Sequence, residues 1–163
     1  MDAAFRIDPA VEADVPVILD LIRDLAEYEK LSDQVTATEA DIARSLFGDP
    51  PRAEAVIARL DGEAIGFALF FHNYSTFLGR PGLYLEDLYV RPASRGRGFG
   101  RRLLIHLARI AVDRGCGRFE WSVLNWNAPA IAAYRRAGAV PLDDWTVYRL
   151  TGDALKRLAD EAH

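Results

Sequence analysis

The segment RGRGFG at residues 95–100 constrains the fold of this chain more than any other feature. Its three glycines follow an apolar and aromatic run at residues 83–90, which predicts a β-strand. Leucine, isoleucine and alanine then recur at helical spacing across residues 103–111. A further strand is predicted at residues 118–124, so two strands and the helix between them form one parallel crossover. Ligands of such units bind where a strand ends and a helix begins.

The rest of the chain predicts strands and helices on either side of this crossover. Asp61-Gly62 favours a tight hairpin turn, because glycine accepts a positive φ, and it therefore predicts antiparallel neighbours. Thr38 and Asp41 resemble a capping box at the start of a short helix. In order, we predict a strand at residues 5–7, helices at 14–28 and 38–46, strands at 55–60 and 64–71, a loop at 73–82, the crossover, a helix at 127–137, a strand at 147–150 and a helix at 152–161. The 163 residues predict one mixed α/β domain spanning residues 1–163.

Composition narrows the classes of function. The chain has 20 basic and 24 acidic residues, a net charge of -4, which argues against general nucleic-acid binding and favours cationic small molecules. The single cysteine, Cys116, cannot form an internal disulfide, and the three histidines are far apart in sequence, so we expect a reducing compartment and no zinc site. The N-terminus does not resemble a signal peptide, and the apolar run at residues 64–71 is far shorter than the roughly 20 residues of a membrane span, so we expect a cytoplasmic protein.

The glycine-rich turn is typical of an anion site. The first amides of a helix lack internal partners, glycines let a ligand approach them, and the helix dipole favours negative charge. Arg95, Arg97, Arg101 and Arg102 add positive charge, which suits a phosphate or pyrophosphate. No lysine follows as in a Walker motif, and the glycine spacing differs from the Rossmann pattern. The pattern that remains is Arg-x-x-Gly-x-Gly. A solvated basic loop or an RNA-contacting arginine-glycine segment is the alternative.

Several segments resemble the GNAT superfamily of acetyl-CoA-dependent N-acetyltransferases. The pattern YVRP at residues 89–92, followed by RGRGFG, resembles the central acetyl-CoA motif of that superfamily, and residues 126–139 resemble its second motif. Residues 13–14, 25–29 and 84–90 are similar to the spermidine/spermine (diamine) and thialysine acetyltransferase branch. The resemblance covers nearly the whole chain.

The resemblance implies a fold and a cosubstrate. The fold is a single-domain α/β GNAT fold, whose mixed, mostly antiparallel central sheet is splayed between strands 4 and 5 and has helices on both faces. Acetyl-CoA is the implied cosubstrate and no metal is needed. The branch implies a homodimer; from the charge and the short apolar runs noted above, we expect no nucleic-acid partner and no membrane partner. The implied acetyl-CoA-binding residues are Leu88, Tyr89 and Val90 for the pantetheine arm, Arg95, Gly96, Arg97, Gly98, Phe99, Gly100 and Arg101 for the pyrophosphate, and Asn127 and Pro129 beside the arm.

The resemblance also implies which residues perform the chemistry. An alkyl ammonium with a pKa of about 10.4 costs about 4.6 kcal/mol to deprotonate at pH 7, and a carboxylate can accept its proton. Glu86, a carboxylate within an otherwise apolar run, is the candidate for amine binding and proton acceptance; the alternative is a salt-bridged or edge-exposed side chain. Asp87 would point to the opposite face of a regular strand, so we assign it a structural role. Tyr134 matches the family's general acid for the thiolate, although helical spacing equally permits a core aromatic beside Ile131.

Acceptor-binding residues are implied at two further places. Tyr28 and Glu29 end the first predicted helix, where a solvated helix end is the alternative. Glu120, Trp121 and Ser122 lie on the strand facing the splay. The leading function is therefore direct acetyl transfer in a ternary complex to a small cationic amine: a polyamine, a diamine or a lysine-like amino acid such as thialysine. The alternatives are a non-catalytic acetyl-CoA-binding regulatory module and an enzyme that acts on a protein amine.

Overall fold

The computed structural model describes residues 4–162. These residues form two compact units, with the boundary between Leu124 and Asn125. In the first unit the elements are β1 (Phe5–Pro9), α1 (Val15–Tyr28), α2 (Glu39–Phe47), β2 (Glu54–Leu60), β3 (Glu63–Ser75), β4 (Arg80–Val90), α3 (Phe99–Asp113) and β5 (Arg118–Trp121). The second unit contains α4 (Ala128–Arg136) and α5 (Gly152–Ala159).

One mixed sheet organises the first unit. Its strand order is β1-β2-β3-β4-β5, with the first four strands antiparallel and β5 parallel to β4. The predicted hairpin joins β2 to β3, and both turn residues, Asp61 and Gly62, have positive φ. The predicted crossover is also confirmed, because β4, α3 and β5 form a strand-helix-strand unit with parallel strands.

Helices cover both faces of the sheet. Ile18, Leu21 and Leu25 of α1 are buried on one face in a cluster that also includes Leu46 of α2 and Phe67 of β3. On the other face α3 is buried through Phe99, Leu103, Leu107 and Ala111, in a cluster that also includes Leu83 and Leu85 of β4. We call these the α1 face and the α3 face. The C-terminal end of α1 and the N-terminal end of α3 therefore lie on opposite faces of the same sheet.

The structure corrects three predictions: one strand does not form, and one loop and one strand are shorter than predicted. Residues 147–150 form no strand, because within residues 4–162 no neighbouring strand supplies hydrogen-bond partners; Val147 and Tyr148 are 84% and 92% exposed. The predicted loop at residues 73–82 is shorter, because the β3–β4 ladder continues from Asn73↔Gly82 to Ser75↔Arg80. The strand predicted at residues 118–124 ends at residue 121. No helix within the described range 4–162 is long and apolar enough to cross a membrane.

Candidate active site

The pairing between β4 and β5 ends halfway along β4. Its register runs from Gly82↔Arg118 to Leu85↔Trp121, whereas β4 continues to Val90. Within residues 4–162, the edge of residues 86–90 on the β5 side is therefore not part of the β4–β5 ladder. This separation is the splay that the family resemblance implies.

A β-bulge lies at Glu86. Leu85 of β4 pairs with Phe70 of β3, and Asp87 pairs with Leu69, the residue next to Phe70. Glu86 is thus the extra residue of β4, opposite the step between two consecutive β3 residues. A bulge of this kind interrupts the alternation of side chains between the two faces of a sheet.

The bulge places Asp87 on the α1 face. Leu85 and Leu88, three positions apart, both contact the α3-face cluster, whereas Tyr89 belongs to the α1-face cluster. Asp87 is two positions before Tyr89 and pairs with Leu69, which also contacts the α1-face cluster. A regular strand would have put Asp87 on the α3 face, so the expectation that it lies opposite Glu86 is wrong.

Glu29, Glu86 and Asp87 form one electrostatically coupled group, which we call the acidic cluster. Burial raises the pKa of Asp87 to about 7, and the charges of Glu86 and Glu29 contribute to this rise. Burial, followed by the charge of Glu86, also raises the pKa of Glu29 above its ordinary value. Three neighbouring carboxylates attract cations, and a carboxyl group with a near-neutral pKa is suited to accept a proton.

The turn before α3 has the geometry of an anion site. Gly96 and Gly98 have φ values of 77° and 82°, and Gly98 is the N-cap of α3. A Cβ atom at either position would have no neighbour within 4 Å, so the protein leaves room above the turn. The amides of Phe99, Gly100 and Arg101 follow in the first turn of α3, where an amide has no acceptor in a preceding helical turn.

Two arginines stack on aromatic rings around this turn. The guanidinium carbon of Arg97 lies 5.0 Å from the centroid of the Phe99 ring, and that of Arg102 lies 4.0 Å from the centroid of the Phe5 ring. These contacts hold positive charge beside the N-terminal end of α3.

Arg95 lies between two tyrosines. Its guanidinium carbon is 4.7 Å from the ring centroid of Tyr28 and 5.2 Å from that of Tyr89. Its Nε also donates a hydrogen bond of 2.9 Å to the carbonyl oxygen of Val90. The resemblance assigns this arginine to the pyrophosphate, and in the structure its side chain connects the end of β4 to the end of α1.

Of the three candidates in this region, Glu120 and Trp121 lie on β5 and Ser122 follows its last residue. Trp121 contacts the α3-face cluster. Glu120 forms an ion pair with Arg118 at 2.7 Å and accepts a hydrogen bond from the Asn73 amide at 3.2 Å. The hydroxyl groups of Ser122 and Tyr84 are 3.0 Å apart.

The remaining candidates belong to the second unit. Asn127 is buried and caps α4, with its side-chain oxygen 3.4 Å from the amide nitrogen of Ala130. Pro129 lies in the first turn of α4 and is exposed. Tyr134 lies in the last turn of α4 and is half-buried. Its position on a helix is as the sequence predicts.

Asp87 is the residue that sequence reasoning undervalued. The structure brings Glu29 and Glu86, the two carboxylates predicted to bind the acceptor, close enough to interact and adds Asp87 to them. A bulge has no reliable signature in a single sequence, so the alternation rule assigned Asp87 to the wrong face. The signal that could have identified Asp87 is simpler: two consecutive acids in an otherwise apolar strand.

Comparison with known proteins agrees with this geometry. The profile described as Acetyltransferase (GNAT) family matches residues 17–139, a range that crosses the boundary between the two units. Thialysine N-epsilon-acetyltransferase of Sus scrofa is 39% identical to this chain over 168 residues, covering 96% of this chain and 98% of the relative. Spermidine/spermine N(1)-acetyltransferase-like protein 1 of Homo sapiens is 34% identical over 167 residues, covering 96% of this chain and 24% of that protein.

Solved structures share the fold. An integron cassette protein from the mobile metagenome of V. cholerae superposes with a TM-score of 0.78 at 26% identity, covering 96% of this chain and 98% of that one. Both the fold and the resemblance to the thialysine and spermidine/spermine branch are confirmed. The chain belongs to the GNAT family of acetyltransferases and is an amine N-acetyltransferase.

Proposed function

We propose that this enzyme moves the acetyl group of acetyl-CoA to a primary amine of a small acceptor that carries a second positive charge. Polyamines, diamines and lysine-like amino acids such as thialysine are the acceptors of this class. The observation that supports the proposal is the acidic cluster beside the open edge of β4. A dication would bring one charge to Glu29 and the other, as the reacting amine, to Glu86 and Asp87.

In this proposal acetyl-CoA binds along β4 and at the turn. Backbone groups of Leu88, Tyr89 and Val90 hold the pantetheine arm, and the amides of residues 96–101 hold the pyrophosphate. Asn127 and Pro129 stand beside the arm. The open β4 edge and the space above Gly98 support this arrangement.

The proposed reaction is direct transfer in a ternary complex. Glu86 binds the ammonium group, and the Glu86–Asp87 pair accepts its proton. The free amine nitrogen attacks the thioester carbonyl carbon, a C–N bond forms and the C–S bond breaks. Tyr134 donates its hydroxyl proton to the departing thiolate, and the second proton released by the attacking nitrogen as the amide forms restores the Tyr134 hydroxyl. Asp87 has the pKa best suited to exchange a proton near pH 7.

The wider setting belongs to the same proposal. We infer that residues 1–163 act as one domain, that the protein is a cytoplasmic homodimer, and that it needs no metal. The family match across residues 17–139 supports the single domain. The single cysteine supports a reducing compartment.

An acceptor panel tests the proposed substrate class. We expect kcat/KM to be highest for spermidine, a short diamine or thialysine, and lower for an alkylamine with an uncharged tail. Added salt should reduce kcat/KM for the dications more than for the alkylamine, because salt screens charge attraction. The two-charge model is wrong if the uncharged-tail amine is the best acceptor and salt has no effect.

The Tyr134→Phe variant tests the proposed general acid. The change removes the hydroxyl proton donor and retains the ring, so we expect kcat at saturating substrates to fall by roughly 10²- to 10⁴-fold. Acetyl-CoA affinity should stay within a few-fold of wild type. A kcat near the wild-type value, under conditions where chemistry limits turnover, removes Tyr134 from this role.

A further inference from the structure

Two arginines that follow β4 contact the same face of α1. Arg91 forms an ion pair with Asp24 of α1, with 3.4 Å between Nη1 and Oδ2. Arg95 places its guanidinium carbon 4.7 Å from the ring centroid of Tyr28. Asp24 and Tyr28 are four residues apart on one helix and are therefore neighbours on its surface. The segment between the two arginines is thus attached to α1 at both of its ends.

Arg95 has a fixed side and a variable side. On the fixed side it donates a hydrogen bond to the Val90 carbonyl and stacks against Tyr89, which is only 6% exposed. On the variable side it meets Tyr28, which is 39% exposed at the end of α1. A group that binds at the end of α1 can therefore reach Tyr28, whereas Tyr89 is inaccessible to it.

The position of Arg95 also sets the start of the glycine turn. Gly96 follows it directly, and Gly98 caps α3 two residues later. Both glycines have positive φ, and a Cβ at either would meet no neighbouring atom within 4 Å. The turn therefore has few packing contacts at the glycines themselves. The contacts of Arg95 anchor the turn on the side of β4 and α1, and the buried Phe99 with Arg97 stacked on it anchors the turn on the side of α3.

We propose that Arg95 is a positioning residue that couples the acceptor side of the site to the acetyl-CoA side through Tyr28. This inference rests on the proposed function, in which the turn holds the pyrophosphate and Tyr28 lies at the acceptor rim. Tyr28 orients Arg95, and Arg95 orients the turn. Because coupling between two binding sites is reciprocal, an acceptor that contacts Tyr28 changes the affinity for acetyl-CoA, and acetyl-CoA changes the affinity for the acceptor by the same factor.

The decisive measurement is the affinity for CoA, by titration calorimetry without an acceptor, for the wild type and for Tyr28→Leu. Tyr28 is outside the proposed CoA site, and its contact with Arg95 is the path through which the proposal transmits a loss of CoA affinity. A cation–π contact at an exposed site corresponds to roughly a two- to fivefold change in Kd, and we expect Tyr28→Leu to weaken CoA binding by about that factor. Tyr28→Phe retains the ring and should bind CoA as the wild type does. Tyr74→Leu, which removes an exposed tyrosine at the opposite end of the β3–β4 ladder, is the matched control and should also bind normally.

The double variant separates coupling from a general loss of structure. In an Arg95→Gln background, Tyr28→Leu should cause no further loss of CoA affinity, because the contact that the proposal invokes is already gone. Thermal unfolding of the unliganded proteins shows whether each variant is folded. If Arg95→Gln is not folded, the comparison of the wild type with Tyr28→Leu and Tyr28→Phe still tests the inference.

Three outcomes overturn the inference. If Tyr28→Leu binds CoA as tightly as the wild type, the coupling does not exist, although the proposed function stands. If Tyr28→Phe is as weak as Tyr28→Leu, the hydroxyl group and not the ring is responsible, and the cation–π route is wrong. If the wild type itself does not bind CoA, the proposed function fails and takes the coupling with it.

Discussion

Asp87 carries a carboxyl group whose ionisation opposes folding at neutral pH. Its pKa is about 7 in the folded protein, against an ordinary value of 3.8. The folded state therefore binds its proton more tightly than the unfolded state does. This contribution to stability is fully present below the unfolded pKa and is lost as the pH rises through the folded pKa.

The Asp87→Asn variant should remove that pH dependence. Asparagine resembles the protonated acid, so the variant should gain stability over the wild type as the pH rises from 5 to 8. One pKa unit corresponds to about 1.36 kcal/mol, so the gain is on the order of 2–4 kcal/mol at pH 8. Urea unfolding of both proteins at both pH values measures it. Glu54→Gln is the control, because Arg114 lowers the pKa of Glu54 and its titration lies below this window. Parallel wild-type and Asp87→Asn curves would show that Asp87 keeps an ordinary pKa.

Single residues were predictable from the sequence where their chemistry alone identifies them. Glu86 stands out as a carboxylate in an apolar strand, and in the structure its charge raises the pKa of Glu29. The face of Asp87 is mispredicted because face assignment depends on strict alternation, which one inserted residue reverses. The motif does not reveal the surroundings of Arg95, whose side chain contacts two tyrosines from different elements.

At the scale of elements, the glycine turn offers the sharpest test of acetyl-CoA binding. Gly98 has a φ of 82° and would have open space around a Cβ, so Gly98→Val adds backbone strain and a side chain in the proposed ligand site. Gly62 in the β2–β3 hairpin has a φ of 83° and the same open surroundings. Gly62→Val should therefore lose similar stability and retain CoA affinity. We expect Gly98→Val to lose at least tenfold in CoA affinity, roughly the loss of one charge-assisted hydrogen bond.

The comparison of these two variants is informative because strain is common to both. Calorimetry gives the CoA affinity and thermal unfolding gives the stability of each protein. Equal CoA affinity in folded Gly98→Val and Gly62→Val proteins would remove the turn from the proposed binding site.

Elements with local signals were predictable, and those that depend on distant partners were not. The capping box of α2 is confirmed, with the Thr38 hydroxyl accepting from the Asp41 amide and the Asp41 carboxylate accepting from the Thr38 amide. The hairpin at Asp61-Gly62 is also confirmed. Residues 147–150 have the composition of a strand, but a strand forms only where a neighbour accepts its hydrogen bonds, and composition does not reveal that neighbour.

At the scale of the whole molecule, the second unit presents many large apolar side chains to solvent. The exposed set is Trp126, Val140, Leu142, Trp145, Val147, Tyr148, Leu150, Leu155 and Leu158. We expect a second copy of the chain to cover part of this set, as the proposed homodimer requires. Sedimentation should give a dimer for the wild type and a larger monomer fraction for Tyr148→Glu. Val112→Glu, at an exposed apolar position on α3, is the control and should remain dimeric. A wild type that sediments as a monomer at micromolar concentration would refute the dimer.

The open edge of β4 has a consequence for how the protein behaves between catalytic cycles. An unpaired strand edge is a template on which another chain can add a strand, and such edges promote aggregation. Whenever acetyl-CoA leaves, the proposed pantetheine site is also such an edge. Glu86 places an exposed charge on this stretch, and charged edge residues discourage edge-to-edge pairing. The carboxylate that we propose to bind the acceptor therefore also opposes association with other copies of the chain, so neutralising Glu86 should both lower turnover and hasten aggregation in concentrated solution.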